Sequence, residues 1–144
     1  MALADHVVVM NNGRIEDEGP PERVYGQPAT RFSATFMGES TILSGRVNNA
    51  GEIETALGKF PCSSQGAAGE LVHLAIRPEN LMLATSGGVR GAVSDVVYQG
   101  SFKRVTVCID NLTLLARLAA DADIKQGDSI VLTCDPQRAV ILKD

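Results

Sequence analysis

The chain has 144 residues, 44% of them hydrophobic and 21% charged, so it can bury about two-thirds of its unfolded surface and is too apolar for a disordered chain. Its net charge of −4 argues against nucleic-acid binding driven by bulk electrostatics, and no apolar run approaches the roughly 18 residues of a membrane-spanning helix. Three scattered cysteines, an odd number, fit a reducing cytosol better than a disulfide scaffold.

In chain order, the opening residues lack the basic start and the roughly 7–15-residue apolar stretch of a secretory signal. A compact β-branched run, Val7-Val8-Val9-Met10, comes first. Asn11-Asn12-Gly13 follows, residue types that tolerate the positive φ of a hairpin turn, and Arg14 to Gly19 reads as a polar returning strand. A lone hairpin is marginal in water and needs a sheet or helices to lean on. Glu16-Asp17-Glu18 is expected to be a solvated strand edge, where charge blocks unwanted pairing. Pro20-Pro21-Glu22 starts a short helix, and Gly26-Gln27-Pro28 ends it. A second helix is expected over Ala29 to Met37, with Phe32, Phe36 and Met37 on one face and Gly38 as its stop. Residues 1–39 hold 3 bases and 6 acids against 10 and 11 in the remainder, so the acidity sits mainly in this first piece.

From Thr41 the apolar period changes to two. Leu71 to Ile76 alternates Val72, Leu74 and Ile76 against His73 and Ala75. Val93 to Tyr98, Arg104 to Asp110, Leu112 to Arg117, Ser129 to Cys134 and Ala139 to Leu142 are further short strands, with Asp110-Asn111 as a tight turn. Strands at this spacing argue for a small barrel or sandwich. With no Trp, four Phe and two Tyr, its core must be built from Val, Leu, Ile and Ala.

Catalytic constellations are absent from the sequence. No Gly-x4-Gly-Lys-Ser/Thr loop occurs that could cradle phosphates, and no Cys-x2-Cys pair that could hold zinc. Cys62, Cys108 and Cys134 lie in or beside strands and read as packed thiols. His6 has no evident partner, and His73 reads as a strand-surface residue. Glu52 and Glu54 can share a strand face but nothing marks either as an acid or base, and the Asp121–Asp123 turn supplies too few oxygens for a cation. Lys103-Arg104 beside Phe102 is the one hint of a single-strand nucleic-acid groove, set against a negative chain.

Four stretches, in order, resemble a known family. Ala2 to Ile15 is similar to the end of a helix and the last hairpin of ABC-transporter ATP-binding subunits, just after the switch histidine. Gly19 to Tyr25, Gln27 to Phe32 and Phe36-Met37-Gly38 resemble the linker helices of the importer branch. Leu74-Ala75-Ile76-Arg77-Pro78-Glu79-Asn80-Leu81 resembles the IRPE strand and turn of the appended regulatory domain. Gly91-Ala92-Val93, Val96 to Gly100 and Arg104 to Val107 resemble its next hairpin. Leu43-Ser44-Gly45-Arg46 imitates the start of an ABC signature but lacks its second Gly and Gln and enters a strand.

The resemblance implies a mainly β chain. Residues 1–39 would be the C-terminal tail of a nucleotide-binding domain, a hairpin plus two short helices. Residues 40–144 would be a TOBE domain, a small barrel of the OB type. The P-loop, signature, Walker B acid and switch histidine would lie upstream, so the chain reads as a C-terminal fragment that is itself no enzyme. It would need no cofactor, whereas the parent subunit would use ATP and Mg to drive solute uptake. The implied role is regulation and dimerisation, with Phe32, Phe36, Arg77, Glu79 and Asn80 as contact residues. For Arg77 to Asn80, a strand-ending turn fixed by proline is the plain alternative. Implied partners are the upstream ATPase domain, a second copy of the subunit and membrane permease subunits, with no nucleic acid. The expected location is cytoplasmic, held at the inner face of the membrane through the transporter. The other reading is an oxyanion-binding TOBE module of the molybdate type.

Overall fold

The computed structural model describes residues 5–61 and 67–144. The expected helix end at Ala2 to Ala4 and the Cys62 thiol lie outside the described residues. Strands β1 (Val7–Asn11) and β2 (Arg14–Gly19) form the two-stranded hairpin. Its turn holds Asn12 at φ 53° and Gly13 at φ 79°, the left-handed pair that matches strand twist. Helices α1 (Pro21–Gly26) and α2 (Arg31–Phe36) follow. The second is shorter than expected because Thr30 sits in extended backbone and caps it, its hydroxyl accepting from the Ser33 amide at 3.2 Å.

The rest is β structure: β3 (Thr41–Val47), β4 (Glu52–Thr55), β5 (Gly58–Pro61), β6 (Leu71–Ile76), β7 (Leu81–Leu83), β8 (Val89–Tyr98), β9 (Phe102–Ile109), β10 (Leu112–Ala119), β11 (Ser129–Cys134) and β12 (Val140–Ile141). All strand pairs are antiparallel. One five-stranded sheet runs β10-β9-β8-β11-β7 and curls into a nearly closed barrel, and a second runs β12-β6-β3-β4-β5 as a half-barrel. The expected mainly β barrel preceded by a hairpin and two short helices is the observed architecture. No helix among the described residues is long and apolar enough to cross a membrane.

One core joins the sheets. Leu43, Ile53, Phe60, Leu74 and Ile76 from the half-barrel pack with Val93, Val105, Val107, Leu114, Ala116 and Leu132 from the other sheet. The core is aliphatic as expected except at Phe60, the one ring in the cluster among the described residues; short β-branched and leucine side chains fill the rest of a narrow barrel. At Gly45 a Cβ would lie 2.5 Å from the Glu54 carbonyl, so only glycine lets β4 approach β3 there.

The expected alternation of β6 does not make one of its faces solvent. Ala75, on the face opposite Leu74 and Ile76, is 3% exposed and forms a second small cluster with Ala34 and Leu142. The cause is α2, which lies over the outside of the half-barrel and turns a solvent face into an interface.

Candidate functional site: an arginine latch between helices and barrel

Arg77 ends β6 and precedes Pro78, which confines it to extended backbone, here φ −73° and ψ 147°. Strand alternation then sends its side chain to the same side as Ala75, under the helices. The guanidinium is buried and forks across four main-chain carbonyls. It donates to Tyr25 through Nε at 3.1 Å and Nη2 at 2.9 Å. Through Nη1 it donates to Ala34 at 2.7 Å and to Gly38 and Glu39 at 3.1 Å each. Those carbonyls belong to the end of α1 and to the end of α2 with its exit, so one side chain ties both helices to the barrel. No carboxylate touches it, and burial pulls its pKa down, although an arginine stays charged in any protein. The Tyr25 ring lies 4.1 Å beneath the guanidinium carbon and supplies a negative π face.

Glu79 extends the contact by accepting the Tyr25 hydroxyl at 2.7 Å. Burial and this carboxylate raise the Tyr25 pKa, so the phenol remains a donor. Asn80 closes the turn, its amide donating to the Arg77 carbonyl at 2.9 Å, and it borders the cleft between Tyr25 and Arg138. A second tie runs from β9: Arg104 grips Glu39 through Nε and Nη2 at 2.9 and 2.7 Å. The proline-fixed turn and the helix contact are therefore both present in Arg77 to Asn80.

Asp17 contradicts its expected place on a solvated edge, being 6% exposed. Only one face of the hairpin is free, because Val9 and its strand partner Asp17 look toward the helices. The Asp17 carboxylate accepts from the Arg23 guanidinium, the Ala29 amide at 2.9 Å and the Ser33 hydroxyl at 2.8 Å. Burial pushes its pKa up, but those three donors outweigh it and hold the group below the ordinary carboxylate range. The sequence signal was available in the alternation: Glu16 and Glu18 point one way and Asp17 the other.

The aromatic pair of α2 stands apart from this network. Phe32 and Phe36 stack with centroids 5.6 Å apart, but the helix turns Ser33 and Ala34 inward, and Phe36 is 66% exposed. The hairpin likewise exposes Val8, Met10 and Ile15 on its far side. His73 is half-buried and shares a 2.9 Å hydrogen bond with Ser44 on the neighbouring strand. Burial lifts the Cys134 thiol to about 11, which keeps it protonated and unreactive at neutral pH. Among the described residues no group of three or more His, Cys, Asp or Glu could hold a metal ion. The two cations that hinted at a nucleic-acid groove are engaged internally, Lys103 donating to the Ala122 carbonyl and Arg104 to Glu39, and the Phe102 ring beside them is covered by Arg117.

Comparison with known proteins places this geometry. Residues 74–142, from the latch strand to the end of β12, match the TOBE domain family. The spermidine/putrescine import ATP-binding protein PotA of Acetivibrio thermocellus is 30% identical over 99% of this chain and 41% of its own length. PotA of Rubrobacter xylanophilus is 33% identical over 99% of this chain and 42% of its own. The Fe(3+) ions import ATP-binding protein FbpC of Photobacterium profundum is 31% identical over 98% and 42%. The chain thus spans about two-fifths of the length of these relatives. Among solved structures, the cytoplasmic molybdate-binding protein ModG shares the fold, with a TM-score of 0.56 and 17% identity over 69% of this chain and 93% of ModG. Residues 74–142 match the TOBE domain family, and the homologues of the chain are ATP-binding subunits of ABC importers.

Proposed function

We propose that this chain is the regulatory and dimerisation module of an importer's ATP-binding subunit and performs no chemistry itself. In this reading residues 1–39 end an ATPase domain and residues 40–144 are the regulatory barrel. The parent would bind ATP and Mg, hydrolyse ATP to drive solute uptake, and sit at the inner face of the membrane through permease subunits. The residues present do not fit a nucleotide site of their own, because the sequence holds no phosphate-cradling loop.

The observation that carries the reading is the Arg77 fork. By tying the ends of both helices to β6, it joins helices and barrel, and Asp17 in turn ties the hairpin to the helices. A movement of an attached ATPase domain would then be delivered to the barrel without slack, and two barrels in contact would hold the subunits together while nucleotide sites open. Exposed Phe36, stacked on half-buried Phe32, and the apolar side of the hairpin are surfaces for such neighbours.

The test is a reconstituted importer whose subunit carries Arg77→Ala. Solute-stimulated ATP hydrolysis is expected to fall severalfold while ATP binding stays unchanged. Unaltered stimulation would overturn the coupling role, and ATP turnover by the 144-residue chain alone would overturn the non-catalytic one. A second reading, oxyanion binding, has behind it the fold shared with a molybdate-binding protein. Calorimetric heat on adding molybdate or tungstate would favour it over the first.

A further inference from the structure

The half-barrel leaves two strand edges facing each other. Its order, β12-β6-β3-β4-β5, ends in β12 on one side and β5 on the other. A cavity of about 610 Å³ lies between them, lined by Phe60 and Pro61 of β5, Leu74 of β6 and Ala139, Val140 and Ile141 at β12. Phe60 and Leu74 are core residues, so the floor of the slot is apolar.

The phase of the hydrogen-bond ladder fixes what the edges offer. On the β12 side the Leu142 amide donates to the His73 carbonyl, so in an antiparallel pair Ile141 and Ala139 aim their N–H and C=O groups away from β6. On the β5 side the Glu52 carbonyl accepts from the Asn48 amide and the Glu52 amide donates to the Asn48 side-chain oxygen, so both backbone groups of Glu52 aim away from β5. Its partner Pro61 therefore sits in a non-bonded pair, and Lys59 and Pro61 turn their free backbone groups outward. Among the described residues none of these groups has a hydrogen-bond partner. One step further along, the Lys143 amide, aimed the same way, is already taken by the Ala29 carbonyl at 2.8 Å. This outward edge of β12 thus already takes one backbone hydrogen bond from outside its sheet.

We infer that the slot between β5 and β12 is a docking site for an extended acidic peptide segment of a partner protein, added as a strand. Alternate apolar side chains of the peptide would rest on Phe60 and Leu74, and its backbone would bond to Ile141 and Ala139 on one side and Lys59 on the other. Charge selects the occupant. The lining contains Arg23 and Lys143 and no Asp or Glu. Arg23 is occupied by Asp17, so the Lys143 ammonium is the charge a peptide carboxylate would meet. The slot uses neither the Arg77 fork nor the Phe32–Phe36 pair, so it stands or falls independently of the function proposed above.

The test pans short displayed peptides against the folded chain. Selected sequences are expected to alternate apolar and polar residues, with Asp or Glu near one end. In excess, such a peptide should slow amide hydrogen exchange at Lys59, Ala139 and Ile141 about tenfold or more and leave β9 unchanged. Lys143→Glu, at an exposed position, should weaken binding about tenfold at an unchanged melting temperature. Failure to select any peptide, selection without alternation, protection elsewhere, or indifference to Lys143→Glu each overturns the assignment. Protection of the same amides that rises with protein concentration alone would give the slot to a second copy and likewise overturn it.

Discussion

Two charged residues, Arg77 and Asp17, hold the helices in place, and each does so by satisfying groups that burial would otherwise leave unpaired. Arg77 is exchangeable neither for an apolar residue, which would orphan four carbonyls, nor for lysine, whose ammonium cannot reach two helix ends at once. Asp17 is the acid counterpart, and its titration has a definite sign. Its folded pKa is depressed, so the stability it contributes is fully present above the unfolded value of about 3.9 and is lost as the pH falls through the lower folded value. Asp17→Asn keeps the shape but removes the charge that Arg23 meets. The variant is expected to lose about 2–3 kcal/mol at pH 7. Its stability should also fall less steeply than the parent's between pH 5 and the acid transition, in urea titrations across that range. Equal acid limbs for parent and variant would show that another group dominates.

At the level of elements, the strands were legible because period-two alternation and turn residues are local signals. β9 and β10, joined by Asp110 at φ 51°, fall where the β-branched runs and the Asp-Asn pair put them. What was not legible depended on which element covers which. Asp17 reads as solvated from its own strand, and Ala75 shares a face with half-buried His73; both are buried because the helices lie across the outside of the half-barrel and the hairpin. A single strand's pattern shows that it has two faces but not that both are covered. Arg77 could be singled out because a resemblance flagged its motif, whereas no local pattern distinguishes a buried arginine from an exposed one. The same limit applies to α2, whose aromatic spacing suggested a packed face, while small Ser33 and Ala34 make the close approach. At only six residues it is too short to persist by propensity, so its cap matters. Thr30→Ala should cost about 1 kcal/mol, read by chemical denaturation. Hydrogen exchange should quicken in α2 before it does in β6.

For the whole molecule the question is whether helices and barrel unfold together. The barrel has its own core, which the helices do not enter, and the interface between them is a small apolar cluster of Ala34, Ala75 and Leu142 reinforced by polar ties. Burying so few apolar atoms gives little on its own, so the coupling between the two parts should reside chiefly in Arg77, supported by the Tyr25–Glu79, Lys143–Ala29 and Arg31–Asp144 bonds and, last, by the Arg104–Glu39 pair. That pair is surface-exposed and worth about 0.5 kcal/mol. Arg77→Ala should therefore cost about 3–4 kcal/mol, from orphaned carbonyls as much as from lost bonds. For a chain of this size, that lowers the melting temperature by about 6–15 °C. The more telling readout is where protection is lost. Amides of α1 and α2 should exchange at rates close to those of an unfolded segment, while β9 and β10 keep their parent ordering and relative rates. Arg77→Lys should resemble Arg77→Ala in the helices, because charge without the fork cannot rebuild the tie. Uniform loss of protection through the barrel would instead mean that the helices are part of its cooperative unit, with Arg77 one contact among many.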